Sequence, residues 1–225
     1  MITLYSGLVV RQPLVETLIP AFEQACGEGV ETTFEPTTVL LERIAAGERP
    51  DLFLGVAASA ADLAERGVLD PATVVDIAVS AVGFARMADS PEPRDDTADA
   101  FVDYLLAARA VAYSLSGASG IHFAKVMTER GVLGRLDERA VRFAAGLTAE
   151  AVVDGRADVA IQQVSELRSV EGPHLVAPIP HALQSYGRFA VGARPDAPSA
   201  ARDFAATLTG EPARSAFAAV GLTAP

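Results

Sequence analysis

Several residue types are scarce in this chain, and each shortage removes a class of function. The only cysteine is Cys26, so no internal disulfide can form and a thiolate metal site is not expected. We expect Cys26 to pack inside the first helix as a small apolar residue. The three histidines, His122, His174 and His181, lack the spacing of metal ligands, so we predict no metal site.

Basic residues are outnumbered. The chain has 18 Lys and Arg against 29 Asp and Glu, a formal net charge of −11 and a pI near 4.7. Nucleic acids and anionic membranes are bound by basic surfaces, so neither is expected as a partner. Any anion that this chain binds must be held by local hydrogen-bond donors.

Long apolar runs are also missing. None approaches the roughly 20 residues that cross a membrane as a helix, so we expect no membrane insertion. No leader precedes the first predicted strand, which favours a cytoplasmic protein as the sequence stands, or a periplasmic or extracytoplasmic one if a signal peptide was removed. The chain has no Ser-His-Asp spacing, Walker loop or dinucleotide glycine fingerprint, and we predict no cofactor.

Strand and helix patterns alternate twice along the remaining sequence. Half of the residues are hydrophobic, which is enough for a well-buried core. Alternation of this kind predicts α/β lobes, each a mostly parallel sheet flanked by helices. A β-rich stretch at 74–87 and a return strand at 185–193 predict two hinge strands between the lobes. We therefore predict one lobe from residues 1–80 plus 190–225, a second from 81–189, and a ligand cleft between them.

Two turns with hydroxyl side chains stand at predicted helix starts, after predicted strands. One contains Thr37 and Thr38, interpreted as helix caps, and the other contains Ser119 and Gly120. Ligands of open α/β sheets bind beyond the carboxyl ends of the strands, and the first backbone N–H groups of a helix attract anions. The same residues also cap helices for structural reasons alone, so this alternative stays open.

The order of several motifs resembles the type II periplasmic binding proteins, and within them the molybdate-binding proteins of ABC transporters. These motifs are Ile-Thr-Leu-Tyr at residues 2–5, Pro-Thr-Thr-Val-Leu at 36–40, Pro-Asp-Leu-Phe at 50–53, Ser-Gly-Ala-Ser-Gly-Ile-His at 116–122 and Val-Val-Asp-Gly-Arg-Ala-Asp-Val-Ala-Ile at 152–161. The resemblance implies a two-lobed fold, a small anionic ligand held by hydroxyls and amides at Thr37, Thr38 and Ser119, and an ABC permease as partner of an exported protein. We expect a monomer.

The chain departs from the molybdate-binding pattern at two places. The first-strand loop, where the family usually has a serine after small residues, reads Ser6-Gly7 and continues through apolar residues to Arg11. Gln163 stands where the family commonly has a tyrosine. Arginine pairs bidentately with carboxylates, so these departures favour a small di- or tricarboxylate ligand.

Aconitate isomerases are relatives of this family, which gives the alternative function of a proton shift in an unsaturated polycarboxylate. Glu166 or His122 would be the base in such an isomerase. Each candidate also has a structural alternative. For Glu166 this is a helix-capping carboxylate, for His122 a hydrogen bond to a backbone carbonyl, for Arg11 a solvated side chain, and for Tyr186, which otherwise closes over the ligand, packing at the hinge.

Overall fold

The computed structural model describes residues 1–225. Its strands are β1 (Ile2–Ser6), β2 (Val30–Phe34), β3 (Leu52–Val56), β4 (Val75–Met87), β5 (Val111–Ser114), β6 (Val141–Phe143), β7 (Val159–Gln163), β8 (His174–Pro178) and β9 (Tyr186–Ala193). Its helices are α1 (Arg11–Pro13), α2 (Ile19–Cys26), α3 (Thr37–Ala45), α4 (Ala57–Glu65), α5 (Ala98–Ala107), α6 (Ala118–Glu129), α7 (Leu133–Asp137), α8 (Glu150–Val153), α9 (Val164–Arg168), α10 (Ser199–Thr207) and α11 (Glu211–Ala219). No helix combines the length and the apolar character that crossing a membrane requires.

The chain forms two compact units. The first unit comprises residues 1–80 and 188–225, and the second comprises residues 81–187. The chain leaves the first unit within β4 and returns to it within β9, two residues before the predicted return at 190.

In the first unit, the parallel strands β1, β2 and β3 stand side by side in the order β2-β1-β3. Strand β9 pairs antiparallel with β3, with Leu52 opposite Ala193. Buried residues of β1 and β3 pack with the helices that follow them, and the rings of Phe22 and Phe204 lie 4.8 Å apart in this core. The three parallel strands therefore end at one edge of the sheet.

The second unit repeats this arrangement. Its parallel strands stand in the order β6-β5-β7, and β4 pairs antiparallel with β7. Strand β8, which the sequence did not predict, adds antiparallel to the far side of β4. Phe84 and Phe101, with ring centroids 5.2 Å apart, lie in the main core of this unit.

The helical stretch after β1 differs from the prediction. The sequence predicts a helix from about Leu14 to Cys26, whereas a 3-10 turn already begins at Leu8 and residues 14–18 form a π-helical turn. Pro20 stands at the second position of α2, where its missing N–H removes a helical hydrogen bond. The prediction for Cys26 is wrong: it ends α2 and is exposed, because the apolar face of that helix is supplied by Ile19 and Phe22.

Candidate functional site

The first edge is the set of turns at the carboxyl ends of β1, β2 and β3, at residues 6–7, 35–38 and 55–57. Backbone hydrogen bonds join these turns. Gly7 N–H donates to the Leu54 carbonyl at 2.8 Å, and Glu35 N–H donates to the Ser6 carbonyl at 3.1 Å. Ser6 is fully buried, and its hydroxyl donates to the carbonyl of Gly7. The predicted residues Ser6, Gly7 and Thr37 are thus brought together.

Thr37 is not a helix cap, so that prediction is wrong. It is the first residue of α3, and Pro36 occupies the cap position without a side-chain hydrogen bond. The Thr37 hydroxyl instead accepts a hydrogen bond from Val56 N–H at 3.3 Å, which ties α3 to the end of β3. The amino end of α3 therefore carries N–H groups that no side chain caps, beside a hydroxyl that faces the neighbouring turn.

Two glycines leave space around this hydroxyl. A Cβ on Gly7 would lie 3.8 Å from Thr37 Oγ1, and a Cβ on Gly55 would lie 3.1 Å from it and 2.6 Å from the Phe53 ring. A side chain at Gly55 would therefore collide with its surroundings. Gly55 is not among the residues selected from the sequence, although a glycine near the end of a buried apolar strand is a usable signal.

The other two predicted residues of the first unit lie near this edge. The Arg11 guanidinium stands 5.8 Å from the centre of the Phe34 ring, the last residue of β2, and its side chain is exposed. Thr38 is the exposed second residue of α3, so the prediction that it caps this helix is wrong as well. The contact with Phe34 therefore places the Arg11 guanidinium beside the end of β2.

The second edge is the corresponding set of turns after β5, β6 and β7, at residues 114–120, 144–149 and 162–166. Ser119 and Gly120 begin α6, whose cap position, Gly117, makes no side-chain hydrogen bond. A Cβ on Gly120 would lie 1.8 Å from the Ser114 carbonyl oxygen, so the helix packs directly onto the end of β5. Gly120 is required by this packing whatever the turn binds.

Buried side chains bind the turns of the second edge to one another. Gln162 accepts hydrogen bonds from Thr148 N–H at 2.8 Å and from the Thr148 hydroxyl at 3.1 Å, and it donates to the Gly146 carbonyl at 3.0 Å. Thr148 Oγ1 also lies 3.2 Å from the Ile161 carbonyl. Sequence reasoning missed both residues, because no local pattern shows that these two turns meet.

Glu166 lies inside this polar cluster. Its Oε2 accepts a hydrogen bond from Gln163 N–H at 3.2 Å, so the capping contact weighed for Glu166 is present. Burial raises the pKa of Glu166 to about 7, against the lowering effects of Gln163 N–H and the Gln162 side chain. A carboxyl group with such a pKa exchanges a proton near neutral pH.

Two atoms beside Glu166 are buried without a hydrogen-bond partner, namely Gln163 Oε1 and Ser165 Oγ. Gln163 stands at the cap position of α9 and forms a capping box with Glu166, but the contact of its side-chain oxygen with the backbone of Glu166 falls short of hydrogen-bond geometry. Sequence reasoning missed Ser165, although Gln-Gln-Val-Ser-Glu, which runs from the end of β7 into α9, is an unusually polar sequence to bury.

The remaining candidates of the second unit have other surroundings. His122 is half-buried, and its Nε2 lies 2.8 Å from the Leu183 carbonyl, which is the structural alternative weighed for it. Tyr186 is 60% exposed and lines a groove of about 630 Å³ together with Phe84 and Gln184. The roles of His122 as a base and of Tyr186 as a residue that closes over the ligand stay predictions.

Comparisons with known proteins agree on the architecture. The periplasmic molybdate-binding protein of Azotobacter vinelandii is 18% identical and superposes with a TM-score of 0.79 over 100% of both chains. The sulfate-binding protein SubI of Mycobacterium tuberculosis H37Rv is 21% identical, with a TM-score of 0.75 over 98% of this chain and 85% of that one. These likenesses confirm the predicted α/β fold of the type II periplasmic binding proteins.

Sequence comparison adds a relative and a family. An aconitate isomerase from a Pseudomonas species is 29% identical, with a match that covers 92% of this chain and 82% of that protein. The family model described as bacterial extracellular solute-binding protein matches residues 2–223. With nearly the whole length matched and the two α/β units in place, the chain belongs to the bacterial extracellular solute-binding protein family.

Proposed function

We propose that this protein binds a small anion, either an oxyanion such as molybdate or a small carboxylate, at the carboxyl edges of its parallel strands. The family is one of solute-binding proteins, and molybdate- and sulfate-binding proteins share the fold. The prediction that both edges contact one ligand in a cleft between two lobes stays a prediction.

One observation carries the proposal. At the first edge, α3 begins without a side-chain cap, while the Thr37 hydroxyl and two glycines stand beside its amino end. Helix-start N–H groups and the helix dipole together favour negative charge there. The net charge of −11 makes a purely long-range attraction for anions implausible, so binding depends on these local donors.

A thermal-melt screen followed by calorimetry tests this function. The panel is molybdate, tungstate, sulfate, phosphate, citrate and the two aconitates, because a ligand at 100 times its Kd adds about 2.7 kcal/mol of stability. We expect Thr37→Val to weaken binding of the stabilising anion about tenfold by removal of one hydroxyl, whereas Thr37→Ser keeps the affinity.

The matched control is Thr209→Val, because Thr209 lies just past the end of α10 and its hydroxyl makes one exposed hydrogen bond, to the Ala206 carbonyl. A panel that leaves the melting temperature unchanged would remove the proposed function. An affinity that Thr37→Val and Thr209→Val leave equally intact would remove the first edge as its site.

The second candidate function is the isomerase, and Glu166 favours it. A base that shifts a double bond within a polycarboxylate takes a proton from carbon and returns one to another carbon, which suits a pKa near neutral pH. Glu166 is buried and has a pKa of about 7, and the Pseudomonas relative is an aconitate isomerase. His122 is the second candidate base, and Arg11 with the helix-start amides would stabilise the developing charge.

Proton NMR of cis- and trans-aconitate in D₂O tests the isomerase directly. Interconversion of the two acids with deuterium incorporation would establish it, and Glu166→Gln would then reduce the rate at least about a hundredfold if Glu166 is the base. A rate that survives both Glu166→Gln and His122→Ala would remove these assignments. Binding of aconitate without interconversion would leave a binding protein.

We further propose that an exported form delivers its ligand to an ABC permease as a monomer. Support comes from the family, whose description is extracellular. Gel filtration with light scattering measures the oligomeric state, and co-purification with a permease encoded nearby tests the partner.

A further inference from the structure

The second edge carries two kinds of polar atom. Helix α6, which has 12 residues, begins there without a side-chain cap, so N–H donors stand at the end of β5. The turn after the neighbouring strand β7 supplies oxygen atoms instead, on Gln163, Ser165 and Glu166. Because β5 and β7 pair in parallel, the two turns lie at the same edge of the sheet.

Two of these oxygen atoms do not serve the fold. Gln163 and Ser165 are 4% and 2% exposed, and Gln163 Oε1 and Ser165 Oγ have no hydrogen-bond partner. A buried polar atom without a partner costs free energy, so native proteins rarely keep one that has no use. Two of them within three residues point to a group that arrives from outside the chain.

Poor local packing does not explain the two atoms. The adjacent Gln162 and Thr148 side chains, equally buried, satisfy one another and the nearby backbone through hydrogen bonds of 2.8 to 3.2 Å. The same cluster therefore contains two sets of polar side chains. The paired set, Gln162 and Thr148, joins the turns by hydrogen bonds, and the unpaired set, Gln163 Oε1 and Ser165 Oγ, has no hydrogen-bond partner in the chain.

We propose that Gln163 Oε1, which can only accept, receives a hydrogen bond from the ligand, so that the second edge selects anions that carry an O–H group over anions of similar size and charge that carry none. The Ser165 hydroxyl, which can donate as well as accept, hydrogen-bonds the same ligand. This inference rests on the proposed anion-binding function and names its substrate class, which is hydroxy acids and hydrogen-bearing oxyanions. A ligand without a donor leaves Gln163 Oε1 unpaired in the complex, which is the origin of the discrimination.

The surroundings of Glu166 agree with this selection. Burial raises the pKa of its carboxyl group, and the hydrogen bonds from Gln163 N–H and the Gln162 side chain offset this effect only in part. An acceptor-only anion next to this carboxylate would add repulsion, whereas a ligand O–H group donates to an acceptor oxygen of the turn.

Calorimetry with two matched pairs of anions tests the selection at about pH 8, where Glu166 is mostly ionised. The pairs are hydrogen phosphate against sulfate and malate against succinate, and the members of each pair differ chiefly in one O–H group. We expect the O–H member to bind at least about tenfold more tightly. The double variant Gln163→Leu with Ser165→Ala should bring the ratio close to one.

The melting temperature of the ligand-free protein gives a second test, because a residue that stabilises the fold and a residue reserved for a ligand affect it differently. If the two oxygen atoms are reserved for a ligand, Ser165→Ala leaves the melting temperature of the ligand-free protein unchanged or raises it. Thr148→Val, the matched control from the paired set, lowers it.

The outcomes separate the two proposals. If sulfate and succinate bind as tightly as their partners, the selection is wrong while anion binding stands. If Ser165→Ala lowers the melting temperature as much as Thr148→Val, the oxygen atom serves the fold and the selection is also wrong. If neither pair nor any other anion of the panel binds, the proposed function fails and the selection fails with it.

Discussion

The two edges have the same strand order but different chemistry. In each unit three parallel strands stand in the order second, first, third, with an antiparallel strand beside the third. At the first edge the third strand leads through Gly55 into the alanines that begin α4, whereas at the second edge it leads into Gln163, Ser165 and Glu166. One backbone plan thus carries a donor-rich edge in the first unit and a mixed, acceptor-bearing edge in the second.

The space available for a Cβ atom at the turn glycines differs between the two edges as well. The loss of stability on replacing each glycine by alanine measures this difference. A Cβ on Gly120 would lie 1.8 Å from the Ser114 carbonyl, so we expect Gly120→Ala to destabilise the protein by at least about 3 kcal/mol. Gly7 has a φ of −62° and only contacts of 3.8 Å, so Gly7→Ala should change stability by less than about 0.5 kcal/mol. Urea unfolding measures both.

Gly134→Ala is the control for the first substitution, since a Cβ there meets nothing within 4 Å inside a helix. It should be neutral or slightly stabilising. Equal losses for Gly7→Ala and Gly120→Ala would show that the two turns are packed alike.

Glu166 makes the second unit sensitive to pH. Its pKa is raised from 4.5 to about 7 on folding, so the folded state holds the proton more tightly, and stability falls as the pH rises from 4.5 to 7 and then stays level. The loss amounts to about 3 kcal/mol. Glu166→Gln should remove this dependence and be the more stable protein near pH 8, as measured by urea unfolding across this range. Parallel pH profiles for variant and parent would contradict the assignment.

Asp51 gives the first unit a pH dependence of opposite sign. Burial opposes its ionisation, but hydrogen bonds from Thr3 and the ion pair with Arg194 outweigh burial and lower the pKa of Asp51. Its stabilisation is therefore present above the ordinary pKa of 3.8 and disappears as the pH falls through the lowered value.

We expect Asp51→Asn to cost about 2 kcal/mol at neutral pH and progressively less in acid. The exposed Asp62, paired with Arg66 one helical turn away, supplies the control: Asp62→Asn should cost less than about 0.5 kcal/mol. Chemical denaturation at neutral and acid pH would show the contrast, and equal costs for the two variants would refute it.

The hydroxyl groups of the two edge threonines, Thr37 and Thr148, should also contribute differently to stability. Thr148 is fully buried and its hydroxyl contacts two acceptors, so Thr148→Val should cost about 2 kcal/mol. Thr37 accepts one hydrogen bond of 3.3 Å, so Thr37→Val should cost about 1 kcal/mol or less. Differential scanning calorimetry resolves the difference, and the reverse order would mean that the first edge depends more on its hydroxyl than the geometry implies.

Periodicity made the regular elements predictable. The apolar run of β1 and the alternation that follows it set the strands of both units, because buried parallel strands and amphipathic helices leave strong patterns. The edge strand β8 and the five-residue helices α7 and α9 lack such a pattern and were missed.

The site was predictable only in part. Thr37 and Ser119 could be selected because hydroxyl residues after strands are a local signal, but the cap role assigned to Thr37 was wrong because its hydrogen bond goes to β3, which is distant in sequence. The hydrogen bond between Gln162 and Thr148 likewise depends on which turns meet in space, and so does the absence of a partner for Ser165 Oγ. A single sequence does not contain that information in any local pattern.

Backbone amide NMR during titration with phosphate and citrate tests the central claim most directly, because it shows which edge receives the anion. We predict that the amide signals of Gly7, Thr37 and Val39 at the first edge, and of Ser119 and Gly120 at the second, shift saturably with the same Kd. Shifts confined to residues outside both edges, or a response that stays linear with anion concentration at every residue, would contradict the claim.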